Sequence, residues 1–144
     1  SAWLWSWDQD FTLWAHLAED LDSPAFSTIV KEGRAILRAK QQVVEKQASH
    51  PVMMTIGGYR VPVVNATAYV SEVGEALCEA HPAAPFATYY ADRDDGKRQW
   101  GLRARGGFDC SKVAVMYGGG GHPGAAGFIL PLDQWPGENQ EAER

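Results

Sequence analysis

Four consecutive glycines, Gly118 to Gly121, followed by His122 and Pro123, constrain this 144-residue chain more than any other feature. Glycine has no Cβ and enters positive φ freely, so a run of four ends any helix before it and cannot form the interior of another. The same freedom lets several backbone N–H groups converge on one anion in a nest-like turn. His122 follows at once, and its ring nitrogen can donate a hydrogen bond to a phosphate oxygen, more strongly once protonated. Pro123 stiffens the exit, while Gly124, Ala125, Ala126 and Gly127 keep the next turn small enough for a ligand to come close. The tract reads as a site for a phosphate-bearing nucleotide or a short nucleic acid. A flexible linker with an incidental histidine is the plainer alternative, but four glycines cost conformational entropy that serine or asparagine would spare.

The rest of the chain alternates between two periods. Asp22-Ser23-Pro24 is a cap with proline at the first helical position, and Phe26, Ile29, Val30, Gly33, Ile36, Leu37, Lys40, Val43 and Val44 follow at helical spacing. That helix is predicted to reach about Ala48, roughly 36 Å at 1.5 Å per residue, which suits a linking or bracing element as well as a core cover. A shorter helix is expected between Asp10 and Ala18, capped by Asp8 or Asp10. Val52 to Ile56 and Arg60 to Val64 are β-rich around Gly57-Gly58, a hairpin in which Pro62 belongs at an edge or beside a bulge. Tyr69 to Ala80 return to helical spacing until His81-Pro82. Phe86 to Ala91 and Lys97 to Ala104 form a second hairpin around Asp94-Asp95-Gly96. Asp109 caps a last helix, Cys110 to Tyr117, and Phe128 to Leu130 make a short strand. The expected fold is α/β: a mixed sheet of about five strands flanked by helices, with a long N-terminal linker-type helix. Residues 1–21 read as a linker and the start of a helical region, 22–135 as the domain, and 136–144 as a flexible tail.

Charge and spacing narrow the chemistry. A net charge of −5 argues against wrapping long duplex DNA, so an anionic ligand must meet a local site. The hairpin supplies one: Gln99, Gly101, Arg103 and Arg105 alternate with Trp100, Leu102 and Ala104, which places both arginines on one strand face opposite the core. Asn65 and Glu72 sit at a strand end and a helix start, where site residues and capping residues are equally at home. Gly119-x-Gly121-x-x-Gly124 matches the dinucleotide fingerprint in letters only, because a helix precedes it and a strand follows. No phosphate-loop lysine motif occurs, the Asp92, Asp94 and Asp95 trio lacks the calcium-loop pattern, and Ser71 and Ser111 have no adjacent base. His16, His50 and His81 lack a second ligand at useful spacing, so no metal site is expected. Cys78 and Cys110 read as apolar filler rather than a disulfide. No apolar run is long enough to span a membrane and no secretory signal opens the chain, so a cytoplasmic location is expected. Trp3, Trp5 and Trp7 are too apolar for a free terminus, and together with Ser1 they raise the expectation of a fragment.

On these residues the chain resembles the DHH phosphoesterase family, specifically its DHH-associated C-terminal domain. The hallmark Gly-Gly-Gly-His-x-x-Ala-Ala-Gly stands at Gly119 to Gly127. Gly-x-Arg-x-Arg-Gly-Gly at Gly101 to Gly107, Asp109, Val64-Asn65-Ala66 and Ser71-Glu72-Val73-Gly74 extend the likeness over nearly the whole chain. Where such proteins commonly carry a serine two residues before the first arginine, this one has Gly101. Members hydrolyse phosphoester bonds in short oligonucleotides, dinucleotides, nucleoside bisphosphates or single-stranded DNA, using manganese held in an N-terminal domain. No Asp-His-His triplet occurs here, and Ser1 to Asp10 looks like the segment just past such a domain. The resemblance therefore implies the substrate side, with Gly119, Gly120, Gly121 and His122 holding phosphate, Arg103 assisting and no cofactor in this chain, and the strand reading adds Arg105 as a candidate beside Arg103. Its implied partners are a phosphate-bearing nucleotide or short single-stranded nucleic acid and the N-terminal catalytic domain, with a homodimer left open. The competing expectation is a non-enzymatic RNA-binding module like that appended to alanyl-tRNA synthetases, which the acidic balance weakens.

Overall fold

A computed structural model describes Ala15, Ala18, Glu19 and residues 21–137. Most of the helix expected between Asp10 and Ala18, the Trp3-Trp5-Trp7 segment and nearly all of the expected tail lie outside the described residues. The chain divides into two compact units, Ser1–Gln42 and Val43–Arg144. Helix α1, Pro24–Ala48, crosses that boundary, and Ser23 Oγ accepts the Phe26 N–H at 3.1 Å to open it as a serine cap should. Its last turns belong to the second unit, where Val44 and Ala48 pack against a buried cluster. There Gln47 Nε2 donates to the Ala68 carbonyl at 2.9 Å, and its Oε1 accepts the Thr67 N–H at 2.9 Å.

The second unit is a sheet with helices on both faces. Strands β1 (Val52–Ile56) and β2 (Tyr59–Asn65) form the first hairpin, α2 (Val70–Ala80) crosses over, and β3 (Phe86–Asp92) with β4 (Lys97–Ala104) forms the second. Then come α3 (Cys110–Met116), β5 (Gly120–His122) and β6 (Ala125–Pro131). The six described strands run in the order β1-β2-β3-β4-β6-β5, with β2 and β3 parallel and the other neighbours antiparallel. The parallel pair requires a crossover, which α2 supplies, and α3 makes a second one, carrying the chain from β4 past the position of β6 to the edge strand β5.

Two differences from the sequence expectation concern backbone pairing. The sheet has a sixth strand, because Gly120–His122 pairs with Ala125–Gly127 instead of remaining a loop. Pro62 also lies on the second strand rather than at an edge: it pairs with Met53 of β1, and pairing to β3 begins only at Val63, so its missing N–H is not demanded from that side.

Strand alternation sorts the side chains onto two faces. On one, Ile56, Val61, Phe86, Trp100, Leu102 and Phe128 meet Cys110, Val113 and Ala114 of α3. On the other, Val64, Ala66 and Ala87 meet Val73 and Leu77 of α2. Arg98 is held on the first face: its guanidinium lies 4.7 Å from the Tyr90 ring centre and 4.4 Å from that of Trp135, while Nη2 donates to Asp92 at 3.0 Å. That hydrogen-bonded pairing holds the Asp92 carboxyl below the usual carboxylate range.

Candidate functional site

The glycine tract begins as the stop signal of α3. Gly118, at φ 77°, donates its N–H to Val115 O at 3.0 Å, and Gly119 donates to Ala114 O at 2.9 Å. This is the Schellman arrangement, which satisfies two orphan carbonyls of the last turn. Those two N–H groups are therefore committed, and Gly120 to His122 belong to β5, so the nest-like turn expected from the sequence does not form. The glycines serve close packing instead. A Cβ on Gly119 would lie 2.1 Å from the Gly127 carbonyl oxygen, and one on Gly121, at φ 143°, would lie 2.6 Å from Ala126 Cα. Gly120 differs: its Cβ position faces open space.

The β5–β6 turn is tied to the two segments that flank it. Gly124 O accepts the Ala104 N–H at 3.0 Å, and Pro123 O accepts the Cys110 N–H at 2.9 Å. His122 is exposed at the end of β5. Register aligns it with Ala125 of β6, and Ala125 with Arg103 of β4. Paired residues share a sheet face, so Arg103 and His122 stand in one row, two strand spacings or about 10 Å apart at the backbone. Two side chains with N–H donors in one row over a small residue are suited to gripping one phosphate from both sides.

Arg103 and Arg105 do not occupy the equivalent positions expected for them. Arg103 is a β4 residue, whereas Arg105 lies just past the strand's end at Ala104. Both reach toward α2: Glu75 lies 3.7 Å from Arg103 Nη2 and 3.8 Å from Arg105 Nη2, and Glu79 lies 3.0 Å from Arg105 Nη1. Glu75 and Glu79 are four apart on one helix face, a spacing visible in the sequence. The Arg103 Nε is buried without a hydrogen-bond partner among the described residues, so this guanidinium retains an unused donor. A phosphate approaching Arg103 would have to compete with Glu75. Glu75→Gln is accordingly expected to tighten binding of a 5′-mononucleotide by up to about fivefold, given the roughly 0–1 kcal/mol of a half-exposed ion pair. Titration calorimetry reads the change, and weakened binding would mean that Glu75 orients Arg103 rather than competing for it.

Glycine at position 101, where the resemblance leads one to expect serine, has a steric cause. A Cβ there would fall 2.2 Å from Tyr89 Cε2, because the Tyr89 ring fills the space a serine would use. Burial raises the Tyr89 phenol above its ordinary value, so the ring stays neutral. Asn65 ends β2 and is exposed, and Glu72 lies in the first turn of α2, neither in the Arg103–His122 row. Asp109 caps α3 as expected, accepting the Ser111 N–H at 3.1 Å. Burial raises both the Cys78 and Cys110 thiols, which leaves them poor nucleophiles at neutral pH. Among the described residues no three His, Cys, Asp or Glu side chains are grouped to hold a metal ion. No described helix is long and apolar enough to cross a membrane.

Comparison with known proteins agrees with this architecture. No curated protein matches the chain. Among solved structures, a pGpG-specific phosphodiesterase, PggH from Vibrio cholerae, aligns over 80% of this chain and 40% of its own at 14% identity and a TM-score of 0.54, a likeness of fold. An exopolyphosphatase-related protein from Bacteroides fragilis aligns over 79% of this chain and 40% of its own at 15% identity and a TM-score of 0.46. This chain thus spans 40% of the length of each of these structures. The family model described as the DHHA1 domain matches residues 63–143, more than half of the sequence, from β2 through the glycine tract, and the chain belongs to that family.

Proposed function

We propose that this chain is the substrate-binding side of a DHH-type phosphoesterase, gripping the phosphate of a small nucleotide or short single-stranded nucleic acid between Arg103 and His122. The observation that carries the reading is the register row Arg103–Ala125–His122, which brings a guanidinium and an imidazole to one face of the sheet over residues too small to obstruct a ligand. Gly119 and Gly121 support it by allowing β5 to lie close on β6, and Gly120 by leaving the surface above it open. Arg105, paired with Glu79, is the weaker contributor. The fold shared with a pGpG-specific phosphodiesterase fits a ligand of this class. Hydrolysis is assigned to a partner domain bearing the metals, in keeping with the lack of a metal-holding group among the described residues. A cytoplasmic location and a homodimer remain parts of the same proposal.

His122→Ala, and separately Arg103→Ala, should each weaken binding of a 5′-phosphorylated dinucleotide by about 1–3 kcal/mol, the loss expected for one charge-assisted hydrogen bond. Calorimetry on the purified protein reads this directly, and unchanged affinity in both variants would remove the site. Robust manganese-dependent hydrolysis by the 144-residue chain alone would contradict the division of labour.

A further inference from the structure

The sheet face that carries Arg103 and His122 continues for two more rows. Gly101, Gly127 and Gly120 are aligned in the next, and Gln99 with Ile129 in the one after. Helix α2 packs over β3 and β4, and α3 packs on β5 and β6 from the opposite face. Gln99 and Ile129 are both exposed, Ile129 to 45%. With Gly118, Gly119, Gly120 and Gly127 they border a groove of about 390 Å³, toward the small end of the roughly 300–1,000 Å³ typical of ligand sites.

The groove's chemistry differs from that of the phosphate row. Trp100 and Phe128 also line it but are buried, so the exposed side chains it presents are one aliphatic group and one carboxamide with no charge, and it is not matched to a second phosphate. Four residues along a strand separate the two rows, about 13 Å at 3.3–3.4 Å per residue. The Tyr89 ring covers Gly101, so an extended nucleotide held by its phosphate at Arg103 and His122 would pass its sugar over the Gly127 and Gly120 end of the row, where no side chain rises from Gly120, and bring its base into the groove.

We infer that the groove between Gln99 and Ile129 is a nucleobase subsite, with Ile129 against the ring face and the Gln99 carboxamide hydrogen-bonding to the ring edge. A carboxamide offers a donor and an acceptor side by side, so it selects among bases by the pattern each presents. The inference rests on the phosphate reading above.

The test titrates the full chain with the four 5′-mononucleotides and with ribose 5-phosphate, which has the phosphate and sugar but no base. The preferred mononucleotide should bind about tenfold more tightly than ribose 5-phosphate, in line with one base stacked on a side chain. Gln99→Ala should level the differences among the four bases, and Ile129→Ser should narrow the gap to ribose 5-phosphate, with ribose 5-phosphate affinity itself unmoved in both. Both positions are exposed, so the variants fold. Mononucleotides binding no better than ribose 5-phosphate, or a gap that neither variant alters, would overturn the subsite while leaving the phosphate row in place. Ribose 5-phosphate binding that His122→Ala does not weaken would instead bring down the phosphate reading, and this inference with it.

Discussion

Alanine at position 119 is expected to destabilise the domain by about 3 kcal/mol or more and to eliminate phosphate binding with it, as over-packing against atoms that cannot yield does at the upper end of its range. The added methyl group would sit 2.1 Å from Gly127 O, 2.6 Å from Phe128 Cβ and 2.8 Å from Phe128 Cα. Two of those atoms are backbone in the partner strand, so no rotamer change relieves the clash. Phe128 is itself fixed, its ring stacked 4.6 Å from Tyr117 and 5.9 Å from Trp100. Relief must come from peeling β5 off β6 or from breaking the bonds that Gly118 and Gly119 donate to the last turn of α3. Gly120→Ala is the matched control, since its Cβ position is open and a methyl group there meets nothing. Urea denaturation with unchanged slope and a midpoint lowered only for the first variant is the expected pattern. Equal midpoints for the two variants would show that the glycines at 119 and 120 are interchangeable and that close strand packing does not set the tract's composition.

Trp100→Ala should cost about 3–5 kcal/mol, the range for deleting a large buried aromatic. Against a total of roughly 5–15 kcal/mol for a domain, that brings the protein near unfolding. Trp100 has no exposed surface and joins three rings: Phe128 at 5.9 Å, Tyr90 at 5.0 Å and Trp135 at 5.6 Å. It also alternates on β4 with Gly101 and Arg103, so its loss on one face loosens the residues presented on the other. Its indole N–H is buried without a hydrogen-bond partner among the described residues. Trp100→Phe removes that orphaned donor while keeping a ring in place, and should recover most of the stability. A near-ultraviolet dichroism spectrum and a guanidinium melt report both changes. Recovery absent in the phenylalanine variant would assign the loss to indole volume rather than to ring stacking.

Sequence reasoning succeeded where one local rule governed one element. The Asp22-Ser23-Pro24 cap, the Gly57-Gly58 and Asp95-Gly96 turns and the Asp109 cap each fix a backbone geometry from nearby residues, and each element they bound was placed to within a residue or two. It missed β5 because glycine is a poor strand former and nothing local marks Gly120–His122 as extended. That strand exists because β6 is there to pair with it, which is tertiary information. Arg103 and His122 were both legible as candidate residues, but their common row required the register of three strands. The acidic partners of the arginines lay in plain view as Glu75 and Glu79, four apart. Their effect emerged only once the crossover helix was seen to lie over β4.

Strand β5 is three residues long, lies at the outer edge of the sheet and carries two glycines. A short edge segment of this kind belongs to the shallow end of a protein's spectrum of opening energies, so it is expected to open before the core around Trp100 does. If the proposed site holds, a phosphate bridging Arg103 and His122 would favour the paired hairpin over any opened form. On that reading, ligand binding and amide protection of Gly120 to His122 should rise together, and hydrogen exchange of the tract would report whether the site is filled.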